Sequence, residues 1–320
     1  MPQPPFASID LGTNTARLLI GRVEVGEVVP LVVRRRITRL GGGFTRERGI
    51  SDEAWQRSRD TLIAFADEMK RAGVVRSRAV ATSAVRDAVN GPAFCADVLE
   101  RTGIRLEVID GREEGLLTLE GVLSALDRKE GDFCVFDVGG GSTEYTLAEG
   151  DSPLFTESLP LGVVRLTEGK PDLAAMEEKI VRELGRVKAK IVAAGLAERL
   201  GRATLVGTAG TATTLAAISL RMEEYDYRRV NNHVLSVGEI RDILALLAPL
   251  PPSERLKVPG LEKGREDLII AGTLITLKTM ELFGFEKMKV SDFGLLEGVL
   301  LNMAKTGGGT SSTSPDHQRS

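Results

Sequence analysis

The sequence predicts an α/β protein built from two duplicated domains with a cleft between them. Three observations predict it. Residues 7–20 and 135–147 are near copies: an apolar strand, Asp-x-Gly (Asp10-Leu11-Gly12 and Asp137-Val138-Gly139), small or turn-prone residues, a hydroxyl residue, then a second strand. Each copy opens a stretch that starts with strands and continues with alternating helices and strands, the pattern of α/β layers. At 320 residues the chain is long enough for two domains, each with its own core.

The first copy begins after residues 1–5, a loose arm with three prolines. From Phe6 to Arg39 the pattern is strand, strand, strand. Ser51 caps a helix with Asp52 and Glu53 in its first turn and Gly73 just past its end, and Trp55, Leu62, Phe65, Ala66 and Met69 share one face of it. A buried strand covers 77–82, a helix runs from Asn90-Gly91-Pro92 to Gly103, a strand spans 106–109 and a helix covers 112–126.

The second copy repeats the plan, with a hairpin from Phe133, a strand at 154–159, an amphipathic helix at 173–194 and a strand at 203–206. Residues 207–214 turn into a helix, and Ser236-Val237-Gly238-Glu239 is a capping box. Helices at 264–283 and 295–304 flank a strand at 288–291. The domain boundaries expected are 1–125 and 126–305, with a disordered Gly/Ser/Thr-rich tail at 306–320.

A glycine turn between strands exposes backbone N–H groups, and beside a carboxylate it can seat a phosphate. One such turn is a common hairpin. Two, opening similar stretches, predict a phosphate-and-metal site between the copies. In Gly12, Thr13, Asn14 and in Gly139, Gly140, Gly141 the donors are turn residues; Ser142 and Thr143 add hydroxyls, and Arg17 and Arg86 add guanidinium groups suited to phosphate. Arg86 could equally brace Asp87.

Composition narrows the chemistry. Aromatic residues are 4% of the chain, too few for a base-stacking platform, so nucleic acid is not expected as a partner. The formal net charge is −3, so an anionic substrate needs a local basic lining. Arg34, Arg35, Arg36 and Arg39 either line such a path or mark an exposed edge strand, and alternation puts only half of them on one face. His233 and His317 are the only histidines, which leaves catalysis to carboxylates, hydroxyls, Arg or Lys. His233 reads as structural, and Arg265 and Asp267 read as a structural pair. Residues 225–233, polar and aromatic, carry no assigned mechanism. Cys95 and Cys134 read as core thiols in a reducing compartment. No signal peptide or spanning apolar run is visible, so the cytoplasm is expected and a membrane is not.

The two hairpins and the turn at 207–214 together resemble the actin-like ATPase and sugar-kinase superfamily, with its duplicated ribonuclease H-like domains. Residues 10–15, 81–90, 111–115, 136–144 and 291–298 narrow the resemblance to the exopolyphosphatase/guanosine pentaphosphate phosphohydrolase family, in order from about residue 6 to about 304. Leu296 stands where that family carries an arginine, so its helix is assigned no charge role. The chain stops where longer members continue into a helical domain, so the resemblance is to the short form.

The resemblance implies Mg²⁺ held by Asp10, Asp137 and Glu144, with Glu144 also counted as catalytic, and Glu114 as general base on the attacking water. Adjacent helical residues point about 100° apart, so only one of Glu113 and Glu114 faces the site, and Glu114 is chosen. Gly207, Thr208, Gly210 and Thr211 join the phosphate-binding set by the same resemblance. It further implies a homodimer acting on inorganic polyphosphate or guanosine pentaphosphate. Hydrolysis of the terminal phosphoanhydride of polyphosphate is the leading expectation, and removal of the 5′ γ-phosphate of guanosine pentaphosphate is the alternative. A non-hydrolysing nucleotide- or polyphosphate-binding regulator is a rival of another class, and a small-metabolite kinase is a third.

Overall fold

The alternating apolar residues at the start of each copy assemble into separate sheets, and the cleft lies between them. The computed structural model describes residues 4–45, 47–170 and 172–307. The first sheet holds β1 (Phe6–Leu11), β2 (Thr15–Glu24), β3 (Glu27–Ile37), β4 (Arg76–Ala81) and β5 (Leu106–Val108) in the order β3-β2-β1-β4-β5. β1 to β3 are antiparallel, while β4 and β5 add in parallel.

The second sheet holds β6 (Asp132–Val138), β7 (Thr143–Glu149), β8 (Ser152–Leu159), β9 (Thr204–Thr208), β10 (Val234–Ser236) and β11 (Lys287–Val290). Its order is β10-β11-β9-β6-β7-β8. Setting aside the β10 edge, β8-β7-β6-β9-β11 retraces the first sheet strand for strand, with the same mix of antiparallel and parallel pairs. The duplication expected from the hairpins is therefore a duplication of topology.

The helices are α1 (Asp52–Arg71), α2 (Ser83–Arg86), α3 (Gly91–Thr102) and α4 (Gly111–Ala125) in the first half. The second half has α5 (Val163–Gly169), α6 (Leu173–Ala193), α7 (Ala197–Arg202), α8 (Ala209–Ser219) and α9 (Tyr227–Val230). It continues with α10 (Val237–Leu247), α11 (Pro252–Arg255), α12 (Ile269–Phe283) and α13 (Leu295–Gly307). The Ser51 hydroxyl accepts from the Ala54 N–H at the start of α1, and the capping box at Ser236 and Glu239 forms in both directions. On α6 the residues Met176, Ile180, Leu184, Val187 and Ile191 make one buried stripe against α12, each such burial contributing about 1.5–3 kcal/mol.

The helix expected from 264 begins instead at Ile269. Gly264 sits at φ +88°, and its N–H is bonded by the Glu266 carboxylate, so the chain turns there. Thr306 and Gly307, expected in the tail, finish α13, with the Thr306 hydroxyl donating to the Asn302 carbonyl at 3.1 Å. The remaining tail residues, 308–320, and residues 1–3 of the arm lie outside the described residues.

The boundary expected at 125/126 separates the two sheets, but packing exchanges two helices across it. α4 lies on β6, β7 and β8 of the second sheet, and α13 lies on β1, β2 and β4 of the first. Leu119, Val122 and Leu123 of α4 are buried with Phe133, Val135 and Val206, while Leu296, Leu300 and Leu301 of α13 are buried with Leu19 and Val28. α4 and α13 also cross each other. A Cβ at Gly298 would stand 1.8 Å from the Leu117 carbonyl oxygen, and one at Gly121 would stand 1.9 Å from that of Gly294. The backbones meet because neither helix carries a side chain at the crossing.

Candidate active site

The strand-turn-strand motifs build matching turns. In the first, the Gly12 N–H closes the hairpin on the Thr15 carbonyl at 2.9 Å; in the second, Gly139 closes on Ser142 at 3.0 Å. Those N–H groups are thereby used inside the turns. The N–H groups of Thr13, Asn14, Gly140 and Gly141 make no hydrogen bond among the described residues. The turns meet face to face: a Cβ at Gly140 would lie 2.9 Å from Thr13 Cβ and 3.1 Å from the Asn14 nitrogen. Only glycine allows that approach. Thr13 and Ser83 share a hydroxyl–hydroxyl bond of 2.9 Å beside the contact.

A cleft of about 480 Å³ opens from this meeting point. Of the residues singled out from sequence, Asp10, Gly12, Thr13, Asn14, Arg17, Glu114, Asp137, Gly139, Gly140, Ser142, Gly210 and Thr211 line it. Asp10 is held by Arg17, whose Nη2 lies 2.6 Å from Oδ2. Burial pushes the Asp137 carboxyl up to about 6, with Arg17 opposing the rise.

Glu114 reaches the cleft wall from the first turn of α4, whose N-terminus is capped by Asp110 accepting from the Glu113 N–H at 2.8 Å. Glu113 points away and pairs with Arg78 at 2.7 Å, so the two neighbours divide as helix geometry requires. Glu114 is 7% exposed, and its Oε2 has no hydrogen-bond partner. Burial first, then the negative charges of Glu144, Asp137 and Asp10, push its carboxyl well above the usual range.

Several residues expected at the site do not line the cleft. Glu144 lies beneath the lining, not on it; Ser158 donates to its Oε1 at 2.6 Å, its Oε2 is unpartnered, and burial and Asp137 raise its carboxyl. The Thr143 hydroxyl donates to the Leu161 carbonyl and the Thr208 hydroxyl to that of Phe293, so neither hydroxyl is free for phosphate. Gly207 is packed among Met288, Ala212 and Phe136 in the core. Gly141 presents its carbonyl to Arg165 at 3.0 Å. Arg86 stands behind Glu114, donating to the Ile109 carbonyl at 2.9 Å; it braces the carboxylate and does not line the cleft.

The structure adds residues to which the sequence gave no role at the site. Arg265 lies in the cleft with its guanidinium against the backbone of Gly210, and Glu262, Tyr225, Asp292 and Glu297 line the same space. Burial pushes Glu297 up to about 7, and the Gly294 N–H donates to its Oε2 at 2.8 Å. α13 therefore brings charge to the site despite Leu296, which is buried among Leu19 and Leu300. The segment 225–233 acquires a role too. Tyr225 donates to Asp292, while Asn231 and Asn232 donate to the Ala125 carbonyl at 2.8 and 3.0 Å and so tie off the end of α4. The only signal for this was the run of polar side chains.

With this geometry in hand, comparison with known proteins is decisive: residues 19–307 match the Ppx/GppA phosphatase family. The chain belongs to that family. A Ppx/GppA structure from Aquifex aeolicus is 33% identical and superimposes with a TM-score of 0.80, covering 97% of this chain and 100% of that one. An exopolyphosphatase structure from Cytophaga hutchinsonii reaches a TM-score of 0.85 at 27% identity, covering 94% and 98%. The fold is thus the actin-like two-domain fold of Ppx/GppA proteins. Exopolyphosphatase 2 of Mycobacterium tuberculosis is 33% identical over 314 residues, covering 93% of this chain and 98% of that protein. The bifunctional 3-dehydroquinate synthase/phosphatase of Fusobacterium nucleatum is 32% identical, and this chain spans 46% of its length. The guanosine-5'-triphosphate,3'-diphosphate pyrophosphatase of Photobacterium profundum is 28% identical, and the chain spans 59% of it. No helix among the described residues is long and apolar enough to cross a membrane.

Proposed function

We propose that this Ppx/GppA chain hydrolyses the terminal phosphoanhydride of linear inorganic polyphosphate, with Glu114 as general base. The observation that carries the reading is the Glu114 carboxylate, buried and without a hydrogen bond at Oε2, at the wall of a cleft headed by two facing sets of free N–H donors. A phosphoanhydride resists water because its oxygens repel a nucleophile; donors fixed around the terminal phosphate offset that charge and orient the bond. Burial among other carboxylates raises the basicity of Glu114, which suits a group that must accept a proton near neutral pH. A regulator without hydrolysis has no use for such a group.

The residues fit Mg²⁺ in its usual mode of one or two carboxylates completed by water and substrate phosphate. Among the described residues no set of three His, Cys, Asp or Glu forms a metal cage. Asp137 and the Asp10 oxygen not bonded by Arg17, both on the cleft wall, are the groups that would hold the ion, and their mutual repulsion favours a cation; Glu144, expected with them, lies behind the lining. Bound there, Mg²⁺ would neutralise phosphate charge.

A second reading, removal of the 5′ γ-phosphate of guanosine pentaphosphate, is favoured by one observation: Ala217, Met222, Leu261 and Tyr225 give the cleft an apolar stretch that could lie along a base. Phosphate release from each substrate at matched Mg²⁺ separates the readings, and faster turnover of guanosine pentaphosphate at low concentration reverses their order. Glu114→Gln is expected to lower kcat about 10²–10⁴-fold with polyanion binding retained. Unchanged phosphate release in that variant overturns the base assignment.

A further inference from the structure

The glycine turn of the second half is gripped from behind by α5. The Gly139 carbonyl accepts from the Val163 N–H at 3.0 Å, and the Gly140 carbonyl accepts from the Val164 N–H at 2.9 Å. The third carbonyl, that of Gly141, is reached by a side chain instead: Arg165 Nε donates to it at 3.0 Å. In a planar trans peptide the C=O and the following N–H point in opposite directions. Three carbonyls drawn toward α5 therefore turn the N–H groups of Gly140, Gly141 and Ser142 away from it, on the side where Gly140 and Ser142 line the cleft.

Arg165 differs from the two backbone donors in being anchored outside its own half. Its Nη2 lies 2.8 Å from Asp87 Oδ2, and Asp87 belongs to the first half, at the end of α2. Other parts of the site are fixed on the same short helix. Ser83, its first residue, bonds Thr13 of the first glycine turn, and Arg86, its last, lies 3.6 Å from Glu114 Oε2. Residues 83–87 thus register their own turn, the proposed base and the clamp on the opposite turn. An ion pair as exposed as Arg165–Asp87, at 37% and 40%, adds little stability. Its worth lies in aim.

Building on the polyphosphate reading above, we infer that Arg165 and Asp87 are positioning residues for the reaction. Neither lines the cleft. Arg165 sets the Gly141–Ser142 peptide and Asp87 sets Arg165, so the donors of the second half take their direction from the segment of the first half that braces Glu114. Phosphate held by those donors is thereby brought into line with the base.

The test is titration calorimetry of the whole chain with orthophosphate, beside kcat for phosphate release from a medium-length inorganic polyphosphate with Mg²⁺. Arg165→Lys keeps the charge but not the two-pronged fork. It is expected to weaken the orthophosphate Kd about threefold to tenfold, the scale of one hydrogen bond, and to lower kcat about 10–10²-fold. Asp87→Ala is expected to act in the same direction to a smaller degree. It should add nothing in an Arg165→Ala background, because Asp87 works through Arg165. Glu168→Ala is the control for a mere latch between the halves, since it removes another contact of α5, Glu168 Oε2 with the Gly43 N–H at 3.2 Å. It is expected to change neither constant. Unchanged orthophosphate binding in Arg165→Lys, a full Asp87→Ala effect without Arg165, or an equal loss in Glu168→Ala overturns the inference. So does a lack of orthophosphate binding by the unsubstituted chain. Weakened orthophosphate binding in Arg165→Lys, with no phosphate release from polyphosphate by the unsubstituted chain, supports the clamp and instead refutes the proposed reaction.

Discussion

Arg86 Nη1 lies 3.6 Å from Glu114 Oε2, and Arg86 is the cation that opposes the rise of the Glu114 carboxyl against burial and three acidic neighbours. Removing it should push that carboxyl higher still. A general base works only when deprotonated, so the acid limb of kcat against pH should move to higher pH in Arg86→Gln, by about one unit. Phosphate release measured from pH 5 to 9 reads the shift, and an unmoved limb disconnects Arg86 from the base.

Stability should fall as pH rises from mildly acid to neutral. Asp137 and Glu297 are raised to about 6 and about 7 by burial, whereas carboxyls in the unfolded chain titrate near ~4. Between those values the folded chain binds more protons, so the slope of unfolding free energy with pH is negative. The contribution is full below about pH 4 and lost as pH passes through 6 and 7. It amounts to about 3 kcal/mol for Asp137. Urea midpoints at pH 5 and pH 8 check the sign, and Glu297→Gln should flatten the difference.

Gly298→Ala should destabilise the chain by about 1–3 kcal/mol, because the new methyl must displace the Leu117 carbonyl where α4 meets α13. An exposed helical glycine changed to alanine would instead be neutral or stabilising. Thermal unfolding distinguishes the outcomes.

Chelation should stop phosphate release, and added Mg²⁺ should restore it. Asp137→Asn keeps the shape of a cleft residue while removing its charge, and should raise the Mg²⁺ concentration needed for half-maximal rate about tenfold or more. A half-maximal concentration equal to that of the unsubstituted chain would remove Asp137 from the ion's ligands.

The local features were legible because they are local. Ser51, the Ser236–Glu239 box and the twin glycine turns each act within a few residues, and each forms. Glu114 was legible as the member of an adjacent pair that faces inward. Arg265, Glu262 and Tyr225 were not, because their place in the cleft depends on how distant loops fold back over α8. Thr143 and Thr208 misled for the complementary reason: a hydroxyl beside a phosphate turn looks available until a carbonyl more than ten residues away claims it. The exchange of α4 and α13 between sheets likewise has no signature in either helix alone, since an apolar stripe does not say which sheet it will cover.

The bare crossing of Gly121 and Gly298 has a mechanical corollary. Each sheet carries one of those helices, so a turn of one half against the other would pivot there, with Leu117 of α4 buried against Leu295 and Val299 of α13 beside the contact. Glu114 sits seven residues along α4 from Gly121, about 10 Å, close to the axle. Such a turn would therefore displace Glu114 little.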